Sequence, residues 1–531
     1  MRSVKVLDVT LRDGGCVNDF NFGQSYMDQI LAALEASGVE CIELGYLDNK
    51  KGSEQGRTQY ANEQVIPQHF LKQKKPGVTY LAMMDYGKFD VDALLPCDGK
   101  GIDGIRLAFH KKNRNDMFAL GRKIIDKGYK FFIQPMITLR YSDKELLELI
   151  ENVNSELPDA SGFYIVDSFG EMRPNDMDRI MNLVDHNLIP SMPLGFHSHN
   201  NLQMSYSNAV SLLRFPTNRD IMLDCSIMGM GKGAGNLSTE LLVEHMNLFF
   251  GKKYRTEPLL SVIDRVINQI RTEYTWGYAI EYYLSSINHC TPSYAGHFYN
   301  KHMLPIDQVA ELLSLIREDK KISFDKEYAE QLYLEYNARR ELDDTAAVNE
   351  LRREFEGKRI LLIAPGRSIT DAGERILNEI NTENTVSISL NHWQLFPTDF
   401  VFVTRHEALQ PALAAGRKVI TATSVTNTND PRVKVIDYQK WILVDGEVQD
   451  SSGVMALNLI KECRASEILL AGFDGFHVNV SKNYYDKGMN HPITAEQAKA
   501  RNQFFREYVR ELRKTVPVSF ITESVYEGED E

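Results

Sequence analysis

Two histidines at alternate positions stand at the end of an apolar run in the first half of the chain. The run from Met192 leads into His197-Ser-His199. Side chains two apart on a strand share a face, so both imidazoles point the same way. Two imidazoles on one face can bind a single metal ion, and the carboxylate of Asp13 could complete the set. The alternative is a pair of buried histidines that hydrogen-bond to their neighbours.

Polar side chains also stand near the ends of most other apolar runs in residues 1–240. Barrel enzymes keep their reacting groups at the carboxyl ends of parallel strands. The residues at such positions are Arg12, Asp13, Glu43, His110, Gln134, Asp167, Ser168, His197, His199 and Asn236. Three have structural alternatives, since Asp167 and Asn236 could cap helices and Glu43 could pair with Arg12. Together, they favour one catalytic site.

Eight short apolar runs alternate with helical patterns through residues 1–230. The predicted strands are Val4–Val9, Val39–Gly45, Val78–Met84, Gly104–His110, Lys130–Ile137, Gly162–Asp167, Met192–His199 and Met222–Gly229. Between the first two, Gln24–Ser37 has apolar residues at helical spacing, and Gly38 follows as a stop. This regular alternation predicts a (β/α)8 TIM barrel, with an open doubly wound sheet as the alternative.

The chain of 531 residues is too long for one hydrophobic core. We expect a barrel over residues 1–250, a helical appendage and linker over 251–356, and a Rossmann-like α/β domain over 357–531. The appendage has helical periodicity in Leu259–Ile270 and Ile306–Ile316, and the charged stretch Glu341–Glu356 favours a helical connector. We expect residues 1–340 and 357–531 to fold separately.

A second pattern of alternating strands and helices begins after Gly357. Its predicted strands are Arg359–Ala364, Thr385–Leu390, Phe400–Thr404, Lys418–Thr423, Val433–Ile436, Trp441–Val444, Glu467–Phe473 and Val518–Thr522. Its predicted helices are Thr370–Ile380, Gly453–Cys463 and Ala495–Arg513. The pattern is typical of an α/β domain of Rossmann type.

Composition and charge narrow the functional classes. The formal net charge of −13 argues against non-specific nucleic-acid binding, which needs a basic surface. The six cysteines include no Cys-x-x-Cys pair, which favours free thiols in a reducing compartment. The apolar runs are shorter than the ~20 residues of a membrane helix, and no apolar signal core follows Met-Arg-Ser. We therefore expect a cytoplasmic protein without a membrane span.

The motifs of the first half resemble those of the DRE-TIM metallolyases. The matching segments are Asp8–Gly14, Asp167-Ser-Phe-Gly170, His197-Ser-His-Asn200 and the glycine-rich turn that ends in Gly235-Asn236. That family includes 4-hydroxy-2-oxovalerate aldolase, hydroxymethylglutaryl-CoA lyase and the isopropylmalate and homocitrate synthases. The resemblance covers roughly residues 1–300, and its motifs fall on the expected strands in the expected order.

The resemblance implies a divalent metal held by Asp13, His197 and His199, with Asn236 at the position of a further ligand. Mn²⁺ and Mg²⁺ are the expected ions, and Zn²⁺ and Co²⁺ remain alternatives. It also implies that Arg12 faces the oxygen of an enolate. The candidate catalytic residues are Arg12, Cys16, Glu43 and His110. The candidate substrate-binding residues are Arg12, Gln134, Asp167 and Ser168.

One position departs from the aldolases of this family. They carry a histidine base shortly after the Arg-Asp pair, where this chain has Cys16. A cysteine would need a lowered pKa to act as a base. Water, His110 or a tyrosine from the aromatic segment 282–299 are the alternatives. The cysteine that the lyases carry in the strand-eight loop is also absent from Gly231–Gly235, and no mark of a coenzyme A site is visible.

The second half resembles the nucleotide-sugar fold of bacterial sialyltransferases. The resemblance rests on Ser389–His392, on the segment that begins at Ser451, and on Glu467–Asp474. It implies a CMP- or UDP-linked ligand lined by Asn391, Ser452 and Gly453. The first turn, Ala364-Pro-Gly-Arg-Ser368, lacks the asparagine of that family, so a binding role without transfer is an equal alternative.

These patterns lead to one main functional expectation. It is a metal-dependent aldolase or lyase that acts on a small 2-oxo acid and an aldehyde, in a surface-polysaccharide pathway. The alternatives are a glycosyltransferase-like or nucleotide-sugar-binding protein with an inactive barrel, and an acyl-CoA-dependent Claisen condensing enzyme. A homo-oligomeric assembly stays open.

Overall fold

The structure is a computed structural model that describes residues 2–527, except 302, 303, 305, 339–341, 427, 445, 446, 449, 450, 487, 488, 490–492 and 494. The chain forms two compact units. The barrel unit comprises Met1–Gly296 and Ile316–Phe324, and the second unit comprises His297–Leu315 and Asp325–Glu531. Position 341 of the expected connector lies outside the described residues. The three-part division at residues 250 and 356 stays a prediction.

The barrel unit contains a closed parallel barrel, which confirms the (β/α)8 prediction. Its strands are β1 Val4–Asp8, β2 Cys41–Leu47, β4 Thr79–Asp85, β5 Gly104–Phe109, β6 Lys130–Pro135, β7 Gly162–Asp167, β8 Leu194–Ser198 and β9 Ile221–Cys225. Strand β1 pairs with both β9 and β2, which closes the sheet. A short strand, β3 (Gln59–Tyr60), adds to the edge of β2.

Six of the eight barrel strands are followed by an α-helix, as the sequence predicts, whereas β2 is followed by a π-helical turn and β4 by a 3-10 turn. The α-helices of this unit are α1 Gln24–Ser37, α2 Asp116–Asp126, α3 Asp143–Glu156, α4 Pro174–Asn187, α5 Ser205–Arg214, α6 Thr239–Phe250, α7 Glu257–Val262, α8 Asn268–Glu273, α9 Ile280–Ile287 and α10 Pro292–Gly296. Helix α1 has the predicted bounds, and Gly38, at φ +83°, ends it. The single helix predicted at Leu259–Ile270 is instead α7 and α8 joined by a π-helical turn, Ile263–Ile267.

The barrel interior is apolar at one level and charged above it. The apolar layer consists of Leu7, Val9, Cys41, Leu81, Phe132, Tyr164, Val166 and Met222. Residues two further along the same strands also face inward, because side chains alternate between the faces. Glu43, two residues after Cys41, is one of them, and Arg106 also faces inward because it pairs with Phe132; both are fully buried. The interior therefore passes from hydrocarbon to charge toward the carboxyl ends of the strands.

Strand β2 contains a bulge just after Glu43. The pairing with β4 shifts from Glu43↔Leu81 to Tyr46↔Met83, so β2 carries one extra residue. Gly45 adopts φ +148° there, and a Cβ on it would lie 2.0 Å from the Thr58 carbonyl oxygen. Because β2 extends to Leu47, Glu43 lies within the strand and not at its end, which corrects the sequence-based placement.

The second unit is built on a parallel seven-stranded sheet with the order β14-β13-β12-β11-β10-β17-β18. These strands are β10 Arg359–Ile363, β11 Thr385–Leu390, β12 Phe400–Val403, β13 Val419–Ala422, β14 Val433–Ile436, β17 Glu467–Ala471 and β18 Val518–Phe520. The helices are α11 Ile306–Ser314, α12 Lys326–Ala338, α13 Thr345–Phe355, α14 Gly373–Ile380, α15 His406–Ala414, α16 Tyr438–Trp441, α17 Ser452–Glu462 and α18 Ala495–Leu512. The sheet agrees with the predicted Rossmann-like class.

One predicted strand of this sheet is wrong. The segment Trp441–Val444 ends the helical turn α16, and Leu443–Val444 (β15) pairs in an antiparallel ladder with Glu447–Val448 (β16), outside the main sheet. The Asp437 side chain accepts a hydrogen bond from the Lys440 amide and so caps the turn. Among the described residues of the whole chain, no helix is long and apolar enough to cross a membrane.

Candidate active site of the barrel

Three predicted metal ligands converge at the carboxyl end of the barrel. Asp13 lies in the turn after β1, His197 in β8 and His199 just after it. One ligand atom from each residue lies within 4.8 Å of the others. The two imidazole rings are perpendicular, with centroids 5.4 Å apart. One carboxylate and two imidazoles on one side of a centre suit a divalent first-row metal with open positions.

Hydrogen bonds fix the orientation of both histidine rings. The Nδ1 atom of His197 lies 2.9 Å from an oxygen of Asp224, and Nδ1 of His199 lies 3.0 Å from the Lys232 carbonyl oxygen. Each Nδ1–H can therefore donate to an oxygen, which leaves the Nε2 lone pair as the ligand. Partners of this kind usually hold metal-binding imidazoles in one tautomer and orientation.

The loop after β9 leaves room for a cation beside Asp13. Nδ2 of Asn236 donates to Oδ2 of Asp13 at 2.6 Å, and Oδ1 of Asn236 is buried with no hydrogen-bond partner among the described residues. A Cβ on Gly231 would lie 2.4 Å from Asn236 Nδ2 and 2.6 Å from Asp13 Oδ2. A side chain there would fill this space, so the residues present fit a divalent ion.

Arg12 is held beside this cluster by two carboxylates. Its Nε donates to Glu43 at 2.6 Å, and one terminal nitrogen donates to Asp13 at 2.8 Å. The other terminal nitrogen, Nη2, is buried and has no partner among the described residues. A buried guanidinium N–H usually has an acceptor. The free donor therefore indicates where an anionic oxygen of a ligand would bind.

A chain of buried charges runs beneath the site. Glu43 accepts hydrogen bonds from Arg12 and, at 3.0 Å, from Arg106, and Arg106 also donates to Asp224. Asp224 in turn holds His197. Arg106 is fully buried, so each charge depends on its neighbours for compensation. This series of contacts couples the position of Arg12 to that of His197 across the barrel.

The ionisation of the ligand set suits metal binding near neutral pH. Burial by itself raises the pKa of the Asp13 carboxyl, but the nearby Arg12, followed by His199 and His197, outweighs burial and holds that pKa well below its usual range. Burial lowers the pKa of His199 to about 4. Asp13 is then a carboxylate and His199 a neutral imidazole, the forms in which both bind metals.

Two of the predicted substrate-binding residues hold loops in place. The Asp167 carboxylate accepts hydrogen bonds from the amides of Glu171 and Met172, and the Ser168 hydroxyl accepts one from the Ile137 amide. Burial raises the pKa of Asp167 to about 7. These contacts match the capping role that the sequence left open for Asp167.

The other predicted residues of the site lie at the barrel mouth. Gln134 is fully buried, and neither its amide nitrogen nor its amide oxygen has a hydrogen-bond partner among the described residues. Cys16 is exposed to solvent, yet crowding by protein atoms raises the pKa of its thiol to about 12, helped by the nearby Asp13. His110 is half-buried after β5. Gln134 thus has free groups for a ligand, and Cys16 lacks the lowered pKa of a base.

The predicted nucleotide-binding residues of the second unit lie after β11 and at the start of α17. The side chain of Asn391 donates to the Thr404 hydroxyl at 3.0 Å and accepts from the Thr404 amide at 2.8 Å. Ser452 and Gly453 form the first turn of α17. A Cβ on Gly453 would approach the Phe473 ring to 3.1 Å. The Asn391 amide is therefore already engaged within the fold.

Sequence reasoning missed four polar residues of the barrel interior: Tyr46, Asp85, Arg106 and Asp224. Arg106 and Asp224 are charges within apolar strands, which signals a buried ion pair. Asp85 ends β4 and would have been found by the strand-end argument, had it been applied to the third strand. Tyr46 follows a glycine inside a strand, which is a common sign of a bulge.

Comparisons with known proteins show the family of the barrel unit. The family model described as HMGL-like matches residues 109–262. The 4-hydroxy-2-oxovalerate aldolase 2 of Comamonas testosteroni is 30% identical over 250 residues, which cover 46% of this chain and 68% of that protein. The 4-hydroxy-2-oxovalerate aldolase of Geobacillus genomosp. 3 is 28% identical over 46% of this chain and 70% of its own length. The solved HMG-CoA lyase of Brucella melitensis is 15% identical, with a TM-score of 0.41, over 51% of this chain and all of that one.

Proposed function

Because the chain belongs to the HMGL-like, or DRE-TIM metallolyase, family of carbon–carbon lyases, we propose that it cleaves or forms the bond between C3 and C4 of a 4-hydroxy-2-oxo acid. The observation that carries the proposal is the convergence of Asp13, His197 and His199 beside the free nitrogen of Arg12. The relatives named 4-hydroxy-2-oxovalerate aldolase support the substrate class, with pyruvate and an aldehyde as the products of cleavage.

Two side chains of the site can stabilise or bind the negatively charged oxygens that such a cleavage involves. When the bond breaks, its electron pair moves into the 2-oxo acid and leaves an enolate with negative charge on the former ketone oxygen. The free N–H of Arg12 is a fixed donor for this oxygen, and a preorganised donor in a buried site stabilises developing charge strongly. The buried amide of Gln134 can bind another oxygen of the acid.

A divalent ion held by Asp13, His197 and His199, with Asn236 as a further ligand, would supply Lewis-acid polarisation of the ketone. We propose Mn²⁺ or Mg²⁺, since a mixed carboxylate and imidazole set without thiolates suits these ions, with Zn²⁺ and Co²⁺ as alternatives. Because all of these candidate ligands are present, an active barrel is favoured. The alternative, a nucleotide-sugar-binding protein with an inactive barrel, does not need them. The missing mark of a coenzyme A site disfavours the Claisen alternative.

For the second unit we propose a weak CMP- or UDP-linked ligand near the start of α17. The start of a helix presents free backbone amides, and Ser452 and Gly453 lie there. Because the Asn391 side chain already forms hydrogen bonds with Thr404, contact with the ligand would involve the backbone of Asn391. Such a ligand would suit a cytoplasmic role in surface-polysaccharide synthesis. Calorimetry with CMP and UDP tests this, and no heat at millimolar nucleotide would contradict it.

The lyase proposal is tested by a series of 4-hydroxy-2-oxo acids of increasing chain length. Each is incubated with the full chain and Mn²⁺, and the release of pyruvate is measured. We expect cleavage of at least one member, its loss on chelation and its return when Mn²⁺ is added back. Metal-dependent cleavage that persists in a His197→Ala, His199→Ala double variant would contradict the assigned site. No cleavage of any member would contradict the function.

A further inference from the structure

The inner wall of the barrel mouth contains a carboxylate to which the proposed chemistry gives no role so far. Asp85 ends β4 and pairs with Ala108 of β5, which in turn pairs with Gln134 of β6. Asp85 lies on the same face as inward-facing Leu81, four residues before it. The side chain between Asp85 and Gln134 in this row is that of Ala108, a single methyl group. The wall thus presents a carboxylate and a free amide on either side of a small residue.

The bulge in β2 directs a tyrosine toward this carboxylate. Without the extra residue, Gly45 would stand opposite Met83 and the next side chain would point to the helices. With it, Tyr46 stands opposite Met83 on the inner face, the face on which Asp85 lies two residues beyond Met83, and the phenol interacts electrostatically with the Asp85 carboxylate. Bulges commonly re-aim a side chain near active sites. Phe20 packs against the Tyr46 ring, with centroids 6.0 Å apart, and helps to fix it.

Charged and titratable groups of several elements face Asp85. They are Arg12 and Cys16 from the turn after β1, Tyr46 from β2, Lys88 from the turn after β4, and His110 after β5. Burial raises the pKa of Asp85, while Tyr46, Arg12 and His110 oppose that rise. The pKa of His110 is lowered by burial. Asp85 is therefore the carboxylate that these groups have as a common electrostatic neighbour.

We propose that Asp85 is the general base of the lyase, and that Tyr46 positions it. The inference rests on the proposed function and adds the group that the sequence could not assign once Cys16 replaces the histidine. In cleavage, the carboxylate takes the proton of the 4-hydroxyl, the C4–O bond becomes a carbonyl, the C3–C4 bond breaks and its pair forms the enolate. The protonated Asp85 then returns its proton to C3, which restores the carboxylate and completes the 2-oxo acid.

A second reaction can separate stabilisation of the enolate from removal of the hydroxyl proton, because it needs the first but not the second. Oxaloacetate loses carbon dioxide to give the same enolate without removal of a hydroxyl proton. We therefore compare two activities of each full-length variant in Mn²⁺: cleavage of the best 4-hydroxy-2-oxo acid and decarboxylation of oxaloacetate. We expect Asp85→Asn to lower cleavage by about a hundredfold or more, the usual contribution of a general base, and to leave decarboxylation within about threefold of the wild type.

The control repeats the same chemical change away from the site. Asp92 is an exposed carboxylate that pairs with Lys123 at 2.7 Å, and Asp92→Asn should leave both activities unchanged. Cleavage by Asp85→Asn within threefold of wild type, or equal loss of both activities, would overturn the assignment. So would a His110→Asn variant that loses cleavage alone. A wild type that cleaves no substrate would instead overturn the proposed function.

The role of Tyr46 is tested by the pH profile of cleavage. The base must be deprotonated, so kcat/KM falls as the pH drops through the pKa of Asp85. The Tyr46 hydroxyl lowers that pKa, and its removal in Tyr46→Phe should move the acid limb to higher pH. An acid limb that stays in place, or moves to lower pH, would show that Tyr46 does not position the base.

Discussion

At the scale of single residues, Arg12 shows how geometry constrains a substitution. Its Nε and one terminal nitrogen each bind a carboxylate, and the third nitrogen stays free. The lysine ammonium carries its three N–H donors on one nitrogen, so it cannot reproduce the spacing of the guanidinium nitrogens that face Glu43, Asp13 and the free position. We expect Arg12→Lys to raise the barrier to cleavage by ~2–4 kcal/mol while metal binding persists. Steady-state kinetics beside metal analysis check this. Unchanged turnover would mean that Arg12 acts only as the partner of Glu43.

The proposed metal ligands allow a prediction that needs no substrate. A site with three protein ligands rarely survives the loss of one, so His199→Ala should lower the affinity for Mn²⁺ by far more than about tenfold. Calorimetry on the apoprotein measures this directly. The matched control is His186→Ala, because His186 is an exposed histidine on α4. Full metal content in His199→Ala would contradict the assigned site.

Alternation along strands made the Asp-His-His cluster predictable. His197 and His199 share a face wherever their strand lies, so the sequence alone places them together, and the strand-end argument adds Asp13. The ion chain through Arg106 and Asp224 depends on which strands meet inside the closed barrel. That pairing across 118 positions of sequence cannot be seen in either strand alone.

At the scale of elements, the bulge of β2 is the feature that sequence periodicity could not place. It interrupts an otherwise regular strand, and only the shifted pairing with β4 shows that Tyr46 faces inward. The regular elements were accessible, as α1 shows, because its apolar spacing and Gly38 define both ends. The strand predicted at Trp441–Val444 is wrong for a different reason. The sequence there has the apolar pattern of a strand, but a hydrogen bond from the Trp441 indole to Asp344 favours a helical turn.

The bulge itself is open to test. Gly45→Ala places a Cβ 2.0 Å from the Thr58 carbonyl oxygen at a φ of +148°, so β2 must shift or lose the bulge. We expect the free energy of unfolding of the barrel to fall by ~1–3 kcal/mol. Urea denaturation measures it, with Gly52→Ala as control, since Gly52 is exposed and a Cβ there meets nothing within 4 Å. Equal stability of both variants would show that the bulge tolerates a side chain.

At the scale of the whole molecule, the chain crosses between the two units three times. Residues 316–324 return to the barrel unit, where the Thr291 amide donates to the Lys321 carbonyl at 2.8 Å and the Tyr294 hydroxyl to the Lys320 carbonyl at 3.1 Å. Sequence composition indicates a charged connector. It does not reveal that residues 316–324 return to the barrel unit, because the contacts that hold them there join residues far apart in the sequence. A single cut therefore cannot separate the two units completely.

The contacts of α13 predict where a fragment of the second unit must begin. Val348, Leu351 and Phe355 bury the apolar face of this helix within that unit. Asp344, just before it, accepts hydrogen bonds from the Trp441 indole at 2.6 Å and the Asp437 amide at 3.0 Å. A fragment that starts at residue 357 lacks all four groups.

We therefore expect the fragment 325–531 to be more stable to urea than 357–531 by at least ~4 kcal/mol, since each buried apolar side chain contributes ~1.5–3 kcal/mol. Circular dichroism during urea titration gives the difference, and the fragment 297–531 serves as the complete second unit. Equal midpoints and slopes for 325–531 and 357–531 would contradict this. That result would instead favour the boundary predicted from the charged stretch, with the second unit beginning at residue 357. Helix α13 would then be a connector that does not contribute to the stability of the unit.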